Sequence, residues 1–199
     1  MPEQSNEVTS TEVSLSPAIR FLILIGNSGA GKSVLGNNLV IQRPDLFNKT
    51  IQTTTRAQRV GTYDPYVFMD KEQYDTIKHH LIGKTTVTDG TGITTFYGTF
   101  IPAQSDKINI IVLNEAGLND FLEWADERDN VKHSILGLVN TNFSWVRQLP
   151  GRAYRDERFL ANEVQFAREM SELVLNTSIE YPEIQDVVDF CVHEILFNE

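Results

Sequence analysis

Eight consecutive residues near the start of the sequence have the types and spacing needed to hold phosphate groups. They follow the apolar run 21–25 and read G-x-x-x-x-G-K-S: Gly26, Asn27, Ser28, Gly29, Ala30, Gly31, Lys32 and Ser33. The glycines let the backbone aim successive N–H groups at phosphate oxygens, and a helix that starts here adds the positive end of its dipole. Lys32 is then expected to reach the β- and γ-phosphates of a bound nucleotide, and the Ser33 hydroxyl to bind Mg²⁺. An ordinary glycine-rich turn between a strand and a helix is the alternative.

A second segment indicates which reaction such a loop serves. Residues 54–61 read T-T-R-A-Q-R-V-G, followed by P-Y-V-F at 65–68, a helical pattern at 70–80 and F-Y-G-T at 96–99. The order and spacing of these pieces resemble guanylate kinases over most of residues 20–196, with a shorter loop than usual between Gly61 and Tyr66. The resemblance implies transfer of the γ-phosphoryl group of ATP to the 5′-phosphate of a nucleoside monophosphate.

The cationic and phenolic residues of this segment suit an acceptor phosphate. A monophosphate is nearly dianionic, and two guanidinium groups three residues apart, together with two phenols, can clamp it in one orientation. We assign Arg56, Arg59, Tyr66 and Tyr97 to an acceptor-phosphate clamp, with Thr99 beside it. Because the acceptor oxygen is already deprotonated, the reaction needs in-line positioning and charge neutralisation rather than a general base.

Four further arginines surround the irregular segment 150–156: Arg147, Arg152, Arg155 and Arg158. The resemblance implies a lid over about 147–158, whose arginines meet the transferring phosphoryl group and exclude water. The predicted catalytic residues are Lys32, Arg147 and Arg152. For the arginines, a solvated charged connection between helices is the alternative. Where guanylate kinases usually carry another arginine in the following helix, the alignment puts Asn162. Either Arg155 or Arg158 then replaces it, or the reaction is slower.

Two polar residues at predicted strand ends have two interpretations each. Glu115 follows the strand 108–113 and either holds a magnesium-bound water, as acids at strand ends do in enzymes with phosphate-binding loops, or lies in a surface turn. Asn176 follows the strand 173–175. It matches the family's asparagine beside the ATP adenine, or it caps a helix or a turn.

The residues expected to read the acceptor base depart most from the family. Guanylate kinases hold guanine with a serine before T-T-R, a glutamate before the Y-G-[ST] segment and an aspartate at the end of the central strand. Here these positions align with Gln52, Thr88 and Asn114. Carboxylates accept the N1 and N2 hydrogens of guanine strongly, whereas amides and hydroxyls both donate and accept. The sequence therefore predicts a kinase with relaxed or altered base choice, whose acceptors include deoxynucleotides supplied to DNA synthesis. By resemblance alone, the default acceptor is GMP or dGMP.

Composition restricts the possible partners and location of the chain. The formal net charge of −10 argues against a general nucleic-acid or membrane-surface binder, because either favours a basic face. Cys191 is the only cysteine, so an intramolecular disulfide is impossible and a reducing compartment fits. Residues 1–17 lack a basic start and an apolar stretch, which predicts a disordered tail rather than a signal peptide. We expect a cytoplasmic monomer or homodimer.

Strand and helix patterns alternate along most of the chain, which favours a parallel sheet covered on both faces. Expected strands are 21–25, 108–113, 135–139 and 173–175, with apolar residues at helical spacing between them. The predicted fold class is α/β, a P-loop kinase fold with a core over 18–50 and 100–199. A small inserted nucleoside-monophosphate-binding subdomain is predicted over about 51–99, with a short helix at 70–80, and the lid completes the domain.

Three functions from different classes remain open at this point. The first is a nucleoside monophosphate kinase that uses ATP and Mg²⁺. The second is a sugar-phosphate kinase, because enzymes that act on ribose bisphosphate also resemble guanylate kinases and lack the guanine-reading residues. The third is a non-catalytic guanylate-kinase-like binding module. Retention of Lys32, Ser33 and the arginines argues against the third, since a scaffold has no physical need for a phosphate cradle.

Overall fold

The computed structural model describes residues 18–58, 66–89, 91–102, 106–149, 156–178, 180 and 182–197. Two sheets and six helices are formed in these ranges. In chain order the elements are β1 (Ile19–Ile25), α1 (Lys32–Gln42), β2 (Phe47–Lys49), β3 (Gln52–Thr54), β4 (Tyr66–Phe68), α2 (Lys71–Ile77), β5 (Leu81–Thr88), β6 (Thr94–Phe100), β7 (Ile108–Val112), α3 (Glu115–Asp126), β8 (Val131–Val139), α4 (Phe143–Gln148), α5 (Glu157–Met170), β9 (Leu173–Asn176) and α6 (Ile184–Cys191). A 3₁₀ turn at Lys78–His80 follows α2, and a π turn at Val192–Phe197 follows α6.

The larger sheet has five parallel strands in the order β2-β7-β1-β8-β9. Its central strand β1 is almost wholly buried, because successive side chains point to opposite faces and both faces are covered by helices. Phe21 and Ile23 pack with α3 and α5, whereas Leu22 and Leu24 pack with α1 and α6. The predicted α/β class is confirmed, and β2 is a short edge strand that the sequence did not predict.

The inserted segment forms a second sheet with the strand order β4-β3-β6-β5. We predicted only a short helix here, and the structure has α2, whose first turn is closed by a reciprocal capping box between Asp70 and Gln73. Buried Tyr74 of α2 donates a hydrogen bond of 2.9 Å to the carbonyl of Tyr97, which attaches the helix to β6. Burial raises the pKa of the Tyr74 phenol, with the charges of Asp120 and Asp75 adding to the effect, so the phenol remains a donor.

The predicted lid is described only at its two ends. Asn142 caps α4 by accepting from the Trp145 N–H, and α5 starts after the Asp156 cap. Arg152 and Arg155 lie outside the described residues, as do Arg59 and the predicted tail 1–17. Within the described ranges, no helix combines the length and the apolar composition needed to cross a membrane.

Candidate functional site

The loop between β1 and α1 has the backbone geometry of a phosphate cradle. Gly26 and Gly31 have φ angles of 134° and 89°, which side-chain-bearing residues rarely adopt. A Cβ on Gly26 would lie 1.7 Å from the Leu138 carbonyl oxygen, so only glycine fits against β8 at this place. Because Gly31 directly precedes α1, the loop ends at the positive N-terminal end of that helix.

Asn27 fastens this loop to the end of β8. Its side chain is fully buried, its Nδ2 donates to the Asn140 carbonyl at 2.9 Å, and its Oδ1 accepts from the Asn140 N–H at 2.8 Å. Both ends of the amide are therefore satisfied by one backbone residue 113 positions away. From the sequence, Asn27 was expected only to be a member of the loop. Its position shows that it fixes the loop before any ligand arrives.

Lys32 and Glu163 supply the charges at the loop. The Lys32 Nζ donates to the carbonyls of Gly26 and Asn27 at 2.7 and 2.9 Å, so the ammonium group lies over the cradle. The Ser28 N–H donates to the Glu163 carboxylate at 3.0 Å. Glu163, on α5, was not among the predicted site residues, and its neighbour Asn162, where we aligned a family arginine, is exposed. A carboxylate accordingly holds one of the N–H groups that a phosphate needs.

A cleft of about 710 Å³ lies between the two sheets. The phosphate loop and Ser33 form one wall, strands of the inserted sheet form the other, and Trp145 and Leu149 border it from the α4 side. Val112 and Asn114, at the carboxyl end of β7, also line it. Ligands of open parallel sheets bind outside the carboxyl ends of the strands, which is where this cleft lies.

The predicted acceptor clamp is formed in part by described residues. Tyr66 and Tyr97 both line the cleft, with their ring centroids 6.0 Å apart. The Arg56 guanidinium lies 5.1 Å from the centroid of the Tyr66 ring and 5.4 Å from that of the Phe68 ring. Cation–π attraction to these two rings holds the guanidinium in place. Arg56 is therefore beside the cleft, and Phe68 is a supporting residue that was not predicted from the sequence.

Three polar residues that line the cleft opposite the phosphate loop are Gln52, Thr85 and Asn114. Gln52 Nε2 donates to the Val112 carbonyl at 3.0 Å and lies 3.3 Å from the hydroxyl oxygen of buried Thr99. Asn114 Nδ2 donates to the Thr85 hydroxyl oxygen at 3.3 Å. Thr88, which we expected here, is exposed, does not line the cleft, and pairs with Thr94 across the hairpin.

Comparisons with known proteins agree with this architecture. Residues 18–100 match the family model described as guanylate kinase, a range that includes the phosphate loop and the inserted sheet. The chain is similar in structure to the guanylate kinase from Anaplasma phagocytophilum, with a TM-score of 0.59 and 20% sequence identity, over 90% of this chain and 85% of that one. Residues 18–100 are therefore similar in sequence to guanylate kinases, and the chain shares the guanylate kinase fold. No curated protein matches it in sequence.

The remaining predicted site residues lie at the edges of the cleft or away from it. Arg147 is exposed in the last turn of α4, and Glu115 is exposed in the first turn of α3. Asn176 ends β9, where its Oδ1 accepts from both the N–H and the hydroxyl of Ser178, the geometry of a turn cap. In the part of the chain that the structure describes, no three His, Cys, Asp or Glu side chains group closely enough to hold a metal.

Proposed function

We propose that the chain is a nucleoside monophosphate kinase, which transfers the γ-phosphoryl group of ATP to the phosphate of an acceptor nucleotide. The observation that carries the proposal is that one cleft joins the phosphate loop to Tyr66 and Tyr97, and that the Arg56 guanidinium lies on the Tyr66 ring. A molecule with phosphates at both ends, or two molecules placed phosphate to phosphate, fits such a cleft. The guanylate kinase family match over residues 18–100 supports the same reaction class.

Each group in the cleft has a defined task in this proposal. ATP would lie with its β- and γ-phosphates against the loop, where Lys32 neutralises developing charge and Ser33 binds the Mg²⁺ that accompanies the nucleotide. Arg56, Tyr66 and Tyr97 would orient the acceptor phosphate for in-line attack, and Arg59 and the lid residues Arg147 and Arg152 would add positive charge on closure. Mg²⁺ supplies charge neutralisation on the phosphates when bound.

Base choice is the part of the proposal in which this chain departs from its relatives. Gln52 and Asn114 are neutral and line the cleft, whereas Glu163 is the only carboxylate among the described lining residues and lies at the phosphate loop. This pattern supports altered base choice over strict selection of guanine. It also keeps the sugar-phosphate kinase as a second candidate, because an acceptor without a base needs no carboxylate there. We further propose a cytoplasmic protein without nucleic-acid or membrane partners, which the net charge of −10 supports.

Lys32→Ala tests the mechanism. Loss of one preorganised donor in an active site lowers turnover roughly 100- to 1,000-fold, and the side chain contacts loop carbonyls rather than the core. Release of ADP should be followed with ATP and a panel of nucleoside monophosphates and ribose bisphosphate. Lys49→Ala is the matched control, since Lys49 lies in the edge strand β2 and contacts Asn37. Near-normal turnover by the Lys32 variant would contradict the mechanism.

Arg56→Ala separates the two phosphate sites. Its guanidinium lies on the aromatic pair of the inserted sheet and not at the phosphate loop. The Michaelis constant for the acceptor should therefore rise, while the dissociation constant of ATP stays within about twofold of the wild-type value, a range below 0.5 kcal/mol. A variant that loses ATP affinity but keeps acceptor affinity would show that the two sites are assigned the wrong way round.

A further inference from the structure

The chemistry of the acceptor base can be derived from three polar side chains of the cleft. Gln52 is the strand partner of Tyr66, and Thr85 is the strand partner of Tyr97. Asn114 completes the group through its contact with Thr85. We call these three residues the base trio. Gln52 and Thr85 each lie directly across from a tyrosine of the acceptor clamp on the neighbouring strand. A nucleotide whose phosphate is held by that clamp has its base at the trio, an inference that rests on the proposed function.

The two amides of the base trio are oriented by backbone groups. The Asn114 Oδ1 accepts the Gly117 N–H at 2.9 Å as the cap of α3, so that its Nδ2 is the end turned to Thr85. The Gln52 Nε2 donates to the Val112 carbonyl, which leaves Oε1 as the acceptor of this side chain. Among the described residues, no donor contacts that oxygen. Flipping either amide would place two donors or two acceptors against each other.

The trio consequently offers one acceptor and two donors. The acceptor is Gln52 Oε1, and the donors are the second Nδ2 hydrogen of Asn114 and the hydroxyl hydrogen of Thr85, whose oxygen already accepts from Asn114. The pairing edge of a pyrimidine carries one donor and two acceptors, namely N3–H with O2 and O4 in thymine and uracil, or the N4 amino group with N3 and O2 in cytosine. Guanine carries the opposite set, with donors at N1 and N2 and an acceptor at O6.

We propose that the acceptor is a pyrimidine nucleoside monophosphate, selected by the base trio. The backbone at one position of β5 supports this choice. Gly83 lines the cleft with a φ of 61°, which residues with side chains rarely adopt, and a Cβ there would meet the end of the Leu113 side chain at 2.6 Å. Backbone strain therefore disfavours a carboxylate side chain for guanine at this position.

The first experiment measures kcat/KM for the eight common ribo- and deoxynucleoside monophosphates with ATP. At least one pyrimidine should exceed GMP and dGMP by tenfold or more, and equal or better use of guanine overturns the inference. Thermal-shift titrations with the same monophosphates, without ATP, measure binding alone, so they test the base preference independently of the proposed kinase activity. If no acceptor is phosphorylated, the proposed function fails. The inference then stands if a pyrimidine monophosphate binds more tightly than its guanine counterpart, and fails if it does not.

Two variants of the base trio make the assignment specific. Asn114→Asp keeps the oxygen that accepts the Gly117 N–H and remains a good helix cap, but replaces a donor by a charged acceptor. The ratio of pyrimidine to guanine kcat/KM should fall by about tenfold or more, since charged hydrogen bonds are the stronger kind. Thr85→Val should lower pyrimidine use about fivefold or more by removing a donor.

Thr86→Val is the matched control for the second variant, because Thr86 is the next residue of β5, is exposed and does not line the cleft. Its kcat/KM values should equal those of the wild type. An unchanged base preference in both Asn114→Asp and Thr85→Val, with the variants folded by circular dichroism, would overturn the role of the trio.

Discussion

Replacing Glu163 by glutamine should tighten ATP binding. The Glu163 carboxylate accepts the Ser28 N–H at 3.0 Å, and the same N–H belongs to the loop that would hold the phosphates of ATP. A bound triphosphate must therefore displace the carboxylate from the N–H and then lie close to its negative charge. Glutamine keeps the size of the side chain and an oxygen that can accept, but it removes the charge.

Two effects set the magnitude of the change. A hydrogen bond to a charged acceptor is worth about 1 kcal/mol more than one to a neutral acceptor. In the glutamine variant, a triphosphate therefore displaces the side chain from the Ser28 N–H at about 1 kcal/mol less cost. Two unit charges about 4 Å apart in water repel by about 1 kcal/mol, which is also removed. Together they amount to about 2 kcal/mol, or roughly a 30-fold lower dissociation constant for ATP.

Isothermal titration calorimetry with ATP and Mg²⁺, without an acceptor, measures this effect. Glu169→Gln is the matched control, because Glu169 lies on the exposed side of α5 and contacts Gln165. The gain should shrink as salt is raised, since ions screen the repulsive part. A dissociation constant within twofold of the wild-type value, or a weaker one, refutes the idea that Glu163 competes with phosphate.

Two further predictions concern stability. Asn27→Ala should lower the free energy of unfolding by about 2 to 3 kcal/mol, because it leaves the buried N–H and carbonyl of Asn140 without their partner. Urea denaturation measures this loss of stability. A loss below about 0.5 kcal/mol would contradict the anchoring role. Burial lowers the pKa of His133, although Glu172 and Asp126 oppose the shift. Its contribution to stability is complete above the unfolded-state pKa of about 6.5 and declines as pH falls, because the unfolded chain takes up the proton first. His133→Gln should therefore weaken the drop in unfolding free energy between pH 7.5 and 5.5, and an unchanged drop would exclude this histidine as its source.

The sequence predicted the elements whose signals are local and strong. The apolar run of β1 and the glycines after it define a buried strand followed by a phosphate loop, and no distant contact is needed to recognise either. The inserted sheet was missed because its strands are rich in threonine and half exposed, so that they lack an apolar alternation. β2 and β3 have only three residues each, too few for any periodic signal.

The differences between the predicted residues and those that the structure places at the cleft have equally specific causes. The pairing of β5 with β6 changes register between Ile82 and Thr85, and this bulge sets which side chains of the strand face the cleft. Aligning the motifs in order placed Thr88 at the base-reading position of this strand, whereas Thr85 is the threonine that lines the cleft. On α5, one step along the helix rotates a side chain by about 100°, which distinguishes exposed Asn162 from Glu163 at the loop. Asn27 could not be identified because its partner is 113 residues away.

The bond from Gln52 to the Val112 carbonyl joins the inserted sheet to the central one. The base trio thus takes two members from the inserted sheet, whereas Asn114 is the cap of α3 just beyond the end of β7. If the trio selects the base as proposed, a base that satisfies all three members would bridge the inserted sheet and the end of the central one. A mismatched base would occupy the cleft without making this bridge. Selectivity would then affect the turnover number more than the Michaelis constant, because the wrong nucleotide would enter the cleft without being aligned for transfer.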